Sequence, residues 1–221
     1  MNMLERGNTQ FAIDLYKQVK NTGGNKDNIF FSPFSISTAT AMAYAGARGR
    51  TRKEIAKVLH FNMSDEDLHE RFAHLQQDLI TDSKSKGYEL LIANALWKQT
   101  GFNFLKDFIE ICEKYGATSS IVDFINERKK SIQIINAWVE KETKGKITSI
   151  VSNAEINETA KLVLTNAAYF RGEWVNKFPR ELTIPSPFYS DRNDVTEAQT
   201  MVREMEADFY EDKKIQVLKL P

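Results

Sequence analysis

The sequence predicts an α+β fold with antiparallel sheets, and three observations carry that expectation. Segments with apolar residues at helical spacing fill the first half of the chain, whereas strand-like runs gather in the second. The stretch Leu162–Trp174, LVLTNAAYFRGEW, is apolar on its alternating positions and too short and too rich in strand formers to read as a helix. After it come Pro179, Pro185 and Pro187, which mark an irregular connection between strands.

The elements follow in order. A first helix is expected from about Thr9, with Phe11, Ala12, Leu15, Tyr16 and Val19 on one face, ending at the Thr22-Gly23-Gly24 turn. Ile29–Phe31 reads as a short apolar strand. Pro33 and Ser35 open a helix from Ile36 to Ala47 that carries no charge before Arg48, the mark of a helix buried on all sides. Thr51-x-x-Glu54 reads as a capping box, and Ser64-x-x-Asp67 as another, before a helix carrying Leu68, Phe72, Leu75 and Leu79. Residues 88–98 form a buried strand. Phe104 to Tyr115 is amphipathic and stops at Gly116, and Ser119 to Phe124 is a strand. Ile132, Ile135 and Val139 set a further helix, stopped by Gly145. Thr196–Phe209 and Ile215–Leu220 read as strands, and no linker divides residues 1–221, so a single domain is expected.

Composition removes several function classes. Thirty basic and thirty acidic residues balance to zero formal charge, so no general attraction to nucleic acid or an anionic membrane is expected. No apolar stretch approaches the ~20 residues of a membrane span. The start has Glu5, Arg6 and Asp14 where a signal peptide needs an apolar core. A cytoplasmic protein is expected, or an extracellular one if a signal was removed or secretion is unconventional. Cys112 is the single cysteine, which excludes an intrachain disulfide and reads as a core thiol rather than a nucleophile. The sequons Asn62-Met-Ser and Asn157-Glu-Thr read as chance matches. His60, His69 and His74 fall in or near surface helical segments, and the last two, five residues apart, lie on different helix faces. Neither a metal site nor a cofactor site is read, and no nucleophile elbow or phosphate loop is present. No enzyme is expected.

One residue breaks the pattern. Asn166 sits in its strand among Leu162, Leu164, Ala168 and Phe170, and a buried amide without partners costs about 1–3 kcal/mol. A polar network beneath the strand is therefore expected. Together with Asn28–Phe61 (NIFFSPFSISTATAMAYAGARGRTRKEIAKVLHF), residues 91–124, 135–147 and 215–221, this strand resembles the serpin family over essentially the whole chain. The resemblance implies helices packed on a large, mostly antiparallel sheet. It also implies that the chain stops before the reactive loop, so that the reactive-centre bond lies beyond Pro221. Asn166 would meet Ser32 and Ser35 in a sheet-opening network, and Trp174 would mark where a loop enters the sheet. The residue-level alternative is that Ser32, Ser35 and Asn166 merely satisfy one another in a core.

The implied activity is that of a suicide substrate, with serine or also cysteine proteases as partners. The cleaved loop adds a strand to the sheet, an established serpin property. A non-inhibitory serpin acting as a binding protein or chaperone stays open. The resemblance is nearest the intracellular, ovalbumin-related branch. The helix from Asp65, with Glu66, Asp67, Glu70, Asp78 and Asp82, does not suit a heparin-type polyanion. Residues 1–221 alone are expected to be inactive and prone to self-association through an unpaired strand edge.

Overall fold

The structure, a computed structural model, describes residues 2–22, 28–191 and 194–220. They fall into two compact units, Met1–Arg171 and Gly172–Pro221.

The first unit opens with α1 (Met3–Thr22). It begins six residues before the expected Thr9 because Asn2 and Glu5 cap it reciprocally: the Asn2 Oδ1 accepts the Glu5 backbone N–H (2.9 Å) and the Glu5 Oε2 accepts that of Asn2 (3.0 Å). Residues 28–32 form no strand; a strand at Ile29–Phe31 needs a partner, and no described residue pairs with it. In α2 (Pro33–Gly46) Pro33 takes the first turn and Ser32 is the N-cap, its hydroxyl accepting the Ser35 backbone N–H at 3.2 Å. The helix is buried through Ser37, Thr38, Ala41, Met42, Tyr44 and Ala45, but not on all sides as expected. Ile36, Ala43 and Gly46 are exposed, and the Ala43–Gly46 side opens on a groove lined by Phe104, Phe108, Leu162 and Leu164.

The next helix, α3 (Gly49–Val58), starts ahead of the expected Thr51 cap, which places Thr51 inside it; Glu54 instead pairs with Arg50 at 2.7 Å. The Ser64 half of the second capping box forms as read. The Ser64 hydroxyl accepts the Asp67 backbone N–H (3.2 Å) and donates to the Asp67 carboxylate (2.7 Å), opening α4 (Asp65–Lys86). Gly87 ends α4 in the left-handed conformation, φ 74°.

The sheet of this unit has three strands, β1 (Glu89–Gln99), β2 (Ala117–Val122) and β3 (Leu162–Arg171), in the order β2-β1-β3. β1 pairs parallel with β2 and antiparallel with β3, with Asn94 opposite both Ala117 and Asn166. Between them lie α5 (Lys106–Lys114) and α6 (Arg128–Glu142).

The near-continuous apolar run of β1 is explained by burial on both faces. Leu96 packs into one cluster with Met42, Leu68, Phe72, Cys112 and Tyr115, while Ala95 and Trp97 pack into a second with Phe124, Ile132 and Ile135. β3 divides likewise: Leu162 and Leu164 adjoin the first cluster and Val163 the second, whereas Ala168 and Phe170, expected on the buried face, are exposed. The α6 helix thus lies against one face of the sheet and α2, α4 and α5 against the other, with α1 and α3 packed on those helices.

In the second unit, a short 3-10 turn (Arg180–Leu182) precedes the hairpin of β4 (Ile184–Asp191) and β5 (Asp194–Thr200). The single strand expected over Thr196–Phe209 is divided, since residues 201–207 leave the ladder before β6 (Asp208–Glu211), which pairs with β7 (Gln216–Lys219). The Lys214 and Ile215 backbone N–H groups bond the Asp212 carboxylate (2.7 and 2.9 Å) and close that second hairpin.

Candidate functional site

Asn166 is half-buried on β3, and its side chain finds a partner directly across the ladder. The Asn166 Nδ2 donates to the Asn94 Oδ1 at 2.8 Å. Asn94, 1 % exposed, then turns its own Nδ2 toward the helices, donating to the Gln76 Oε1 (3.1 Å) and the Tyr115 carbonyl (2.9 Å). Gln76 donates its Nε2 to that same carbonyl at 3.0 Å. The Tyr115 hydroxyl lies 2.6 Å from the His69 Nδ1. A continuous polar chain thus runs from α4 through the end of α5 into β1 and β3, enclosed in the larger apolar cluster.

Local sequence places each member. His69, Phe72 and Gln76 sit at i, i+3 and i+7 on α4 and so share one face. Tyr115 is the C-cap residue of α5, followed by Gly116 at φ 66°, which turns the chain into β2 and leaves the Tyr115 carbonyl free to accept side-chain donors. Burial of the Tyr115 ring pushes its phenol well above the usual range, and Cys112 one turn earlier is pushed up to about 12 by burial. Both stay neutral, Cys112 as a packing group and Tyr115 also as a partner of His69. Burial, then the nearby Arg52 and Lys114 charges, holds His69 below its ordinary value, while Asp65 opposes the shift.

The residues singled out from sequence divide. Ser32 spends its hydroxyl on capping α2, so it faces its own backbone. Among the described residues no hydrogen bond joins Asn166 to Ser32 or Ser35. The buried Ser35 Oγ and Asn166 Oδ1 are both without a partner, as is the Thr38 Oγ1. The opposed amide of Asn94 is the nearer partner because directly opposite Cβ atoms lie only about 5 Å apart. Trp174, in the second unit, is 46 % exposed and meets the Phe178 ring edge-on at 6.1 Å. His69 corrects the reading of three surface histidines: it is 3 % exposed, whereas His74 is exposed and His60 pairs with Asp14 at 2.9 Å. Asn94 was missed, although an amide inside LLIANALW carries the same signal as Asn166.

A profile for the family described as Serpin (serine protease inhibitor) matches residues 6–221. This chain belongs to the serpin family. The human leukocyte elastase inhibitor is 38% identical over 226 residues, which cover 100% of this chain and 58% of that serpin. Human Serpin B4 is 35% identical over 237 residues, covering 100% and 60%. The chain thus spans about three fifths of the length of these relatives. Its fold superposes on cleaved kallistatin complexed with heparin with a TM-score of 0.88 at 32% identity, over 97% of this chain and 63% of that one. Reaction-loop-cleaved lamprey angiotensinogen gives 0.87 at 30%, over 100% and 64%. The structure is therefore a partial serpin fold, with helices and sheets mixed as the α+β expectation required.

Proposed function

We propose that this serpin chain supplies the sheet-opening half of an endopeptidase inhibitor of the suicide-substrate, loop-insertion type, directed at serine and also cysteine proteases. The observation that carries the reading is the position of β3. It lies at the edge of its sheet among the described residues, with the Asn94–Asn166 amide pair and the small residues Ala167 and Ala168 along it. An edge strand presents a row of free backbone groups to a new strand. Hydrogen-bonded amides beneath it can exchange partners when that strand arrives, which packed leucines cannot do. Ser35, whose buried hydroxyl is unpaired, stands as a further member of this opening region, with Ser32 holding its helix and Trp174 marking the loop-entry end.

On this reading the two compact units are parts of one serpin domain that works in the cytoplasm. No polyanion cofactor is called for, since the first turn of α4 carries Asp65, Glu66 and Asp67. Residues 1–221 alone are inactive and self-associate through the β3 edge. The test joins residues 1–221 to the remaining portion of the human leukocyte elastase inhibitor. Each form is incubated with elastase-like, chymotrypsin-like and papain-like proteases. The joined chain is expected to give an SDS-stable covalent complex and the 221 residues none. A complex from residues 1–221 alone overturns the inactivity. No complex from a folded joined chain overturns the inhibitory reading in favour of a binding protein or chaperone.

A further inference from the structure

His69 is buried where α2, α3, α4 and α5 meet, and its described hydrogen-bond contact is the Tyr115 hydroxyl. Its ring faces Tyr44 of α2 at 6.2 Å and meets Tyr115 edge-on at 5.7 Å. The charges around it are Arg52 of α3, Lys114 of α5 and Asp65 of its own helix. Asp65 is already engaged, ion-paired with Arg52 and accepting the Tyr44 hydroxyl at 3.0 Å. Arg52 also lies over the Tyr44 ring, 4.2 Å from its centroid. A proton on His69 would therefore place a cation on a buried ring whose neighbouring carboxylate, Asp65, is already paired with Arg52. Such a charge is tolerated only if the ring reaches water.

We propose that His69 is an acid-sensing group whose protonation uncouples the helical layer from the β1–β3 pair. The transmission path is short. Tyr115 leads directly through Gly116 into β2, where Ala117 pairs with Asn94. The Tyr115 carbonyl holds both Gln76 and Asn94, and Asn94 holds Asn166. Displacing Tyr115 removes the acceptor shared by Gln76 and Asn94 and frees the amide that ties β1 to β3. The same movement detaches α4, so acid loosens the helix and the sheet together. None of this depends on whether the protein inhibits a protease.

The sign follows from linkage. Burial and the two cations hold His69 below its ordinary value of about 6.5. Its contribution to stability is fully present above that unfolded value and is lost as the pH falls through the folded one. Opening takes up one proton, so the open population rises by up to tenfold per pH unit across that window.

The test uses the 221-residue chain. Histidine side-chain NMR follows the three imidazoles from pH 8 to 5, and amide hydrogen exchange, corrected for its intrinsic pH dependence, follows Asn94 and Asn166 over the same range. His69 is expected to titrate below 6.5, with protection of both amides falling by up to tenfold per unit between 6.5 and the pH at which it titrates, and levelling off below that. His69→Phe should abolish that step and His60→Gln should keep it. The idea is overturned if His69 titrates at 6.5 or above, if protection is flat between 6.5 and the pH at which it titrates, or if a folded His69→Phe chain retains the step. Should His69→Phe not fold, the titration and exchange of the parent chain still decide.

Discussion

Replacing Asn94 by leucine should damage this chain far more than replacing Asn166, although the two amides face each other across one ladder. Asn94 donates twice and accepts once, and it is 1 % exposed. Leucine at that site strands the Gln76 Oε1 inside the first cluster, at about 1–3 kcal/mol, and removes the partner of the half-buried Asn166 at about 1 kcal/mol more. The Tyr115 carbonyl keeps Gln76, so no further penalty arises there. The sum is about 2–4 kcal/mol. Asn166→Leu strands the Asn94 Oδ1 but also removes the buried Asn166 Oδ1 that has no partner, and it adds apolar burial. About 1 kcal/mol or less should remain. Urea unfolding read by the fluorescence of Trp97, which is buried edge-on against Trp138 at 5.7 Å, separates the two. With a denaturant slope of about 2 kcal/mol per molar, Asn94→Leu should lower the midpoint by about 1–2 M and Asn166→Leu by about 0.5 M or less. Equal shifts, or a larger one for Asn166→Leu, would refute the asymmetry on which the network is built.

Cys112, buried and pushed up to about 12, should resist a thiol reagent at pH 8 in the folded chain and react fully in urea; stoichiometric reaction of the native chain at the free-thiol rate would contradict its burial. Asp123 accepts the Asn126 backbone N–H (2.9 Å), the Asn126 side chain (2.9 Å), Gln99 (3.2 Å) and the Ile125 backbone N–H (3.0 Å), which lower its carboxyl to about 2. Its contribution is complete above the unfolded value near 3.8 and is lost as the pH falls toward 2, so Asp123→Asn should flatten the acid limb of a stability profile there; an unchanged limb would assign acid unfolding elsewhere. With Trp97 and Trp138 replaced by Phe, the remaining emission from Trp174 should be accessible to iodide, as its exposure requires; a shielded spectrum would contradict that placement.

The α+β class and the positions of the main helices were legible because they rest on local spacing and caps. Ser64 with Asp67, and Pro33 with Ser35, point to helix starts, although α2 begins at Pro33 rather than at the expected Ile36 because Ser32 caps it. Asn166 was legible as a polar residue needing a partner, but its partner was not. Strand spacing says which face a residue takes, whereas the register of β1 against β3 decides that Asn94 stands opposite. His69 misled because a histidine on a charge-rich helix reads as solvated, yet its spacing to Phe72 and Gln76 put it on the buried face. Ile29–Phe31 failed for the opposite reason. A strand is a property of a pair, and apolar character alone does not form one without a neighbour among the described residues.

The central claim of the proposed function is that the outer edge of β3, as it stands among the described residues, accepts a new strand beside the amide pair. Amide hydrogen exchange across Leu162–Arg171 tests it directly, measured before and after annealing a reactive-loop peptide from the human leukocyte elastase inhibitor. The account predicts slowed exchange at the alternate β3 amides that face away from β1, with those bonded to β1 unchanged. Unaltered exchange along β3 in the presence of bound peptide, with protection appearing elsewhere, would contradict it.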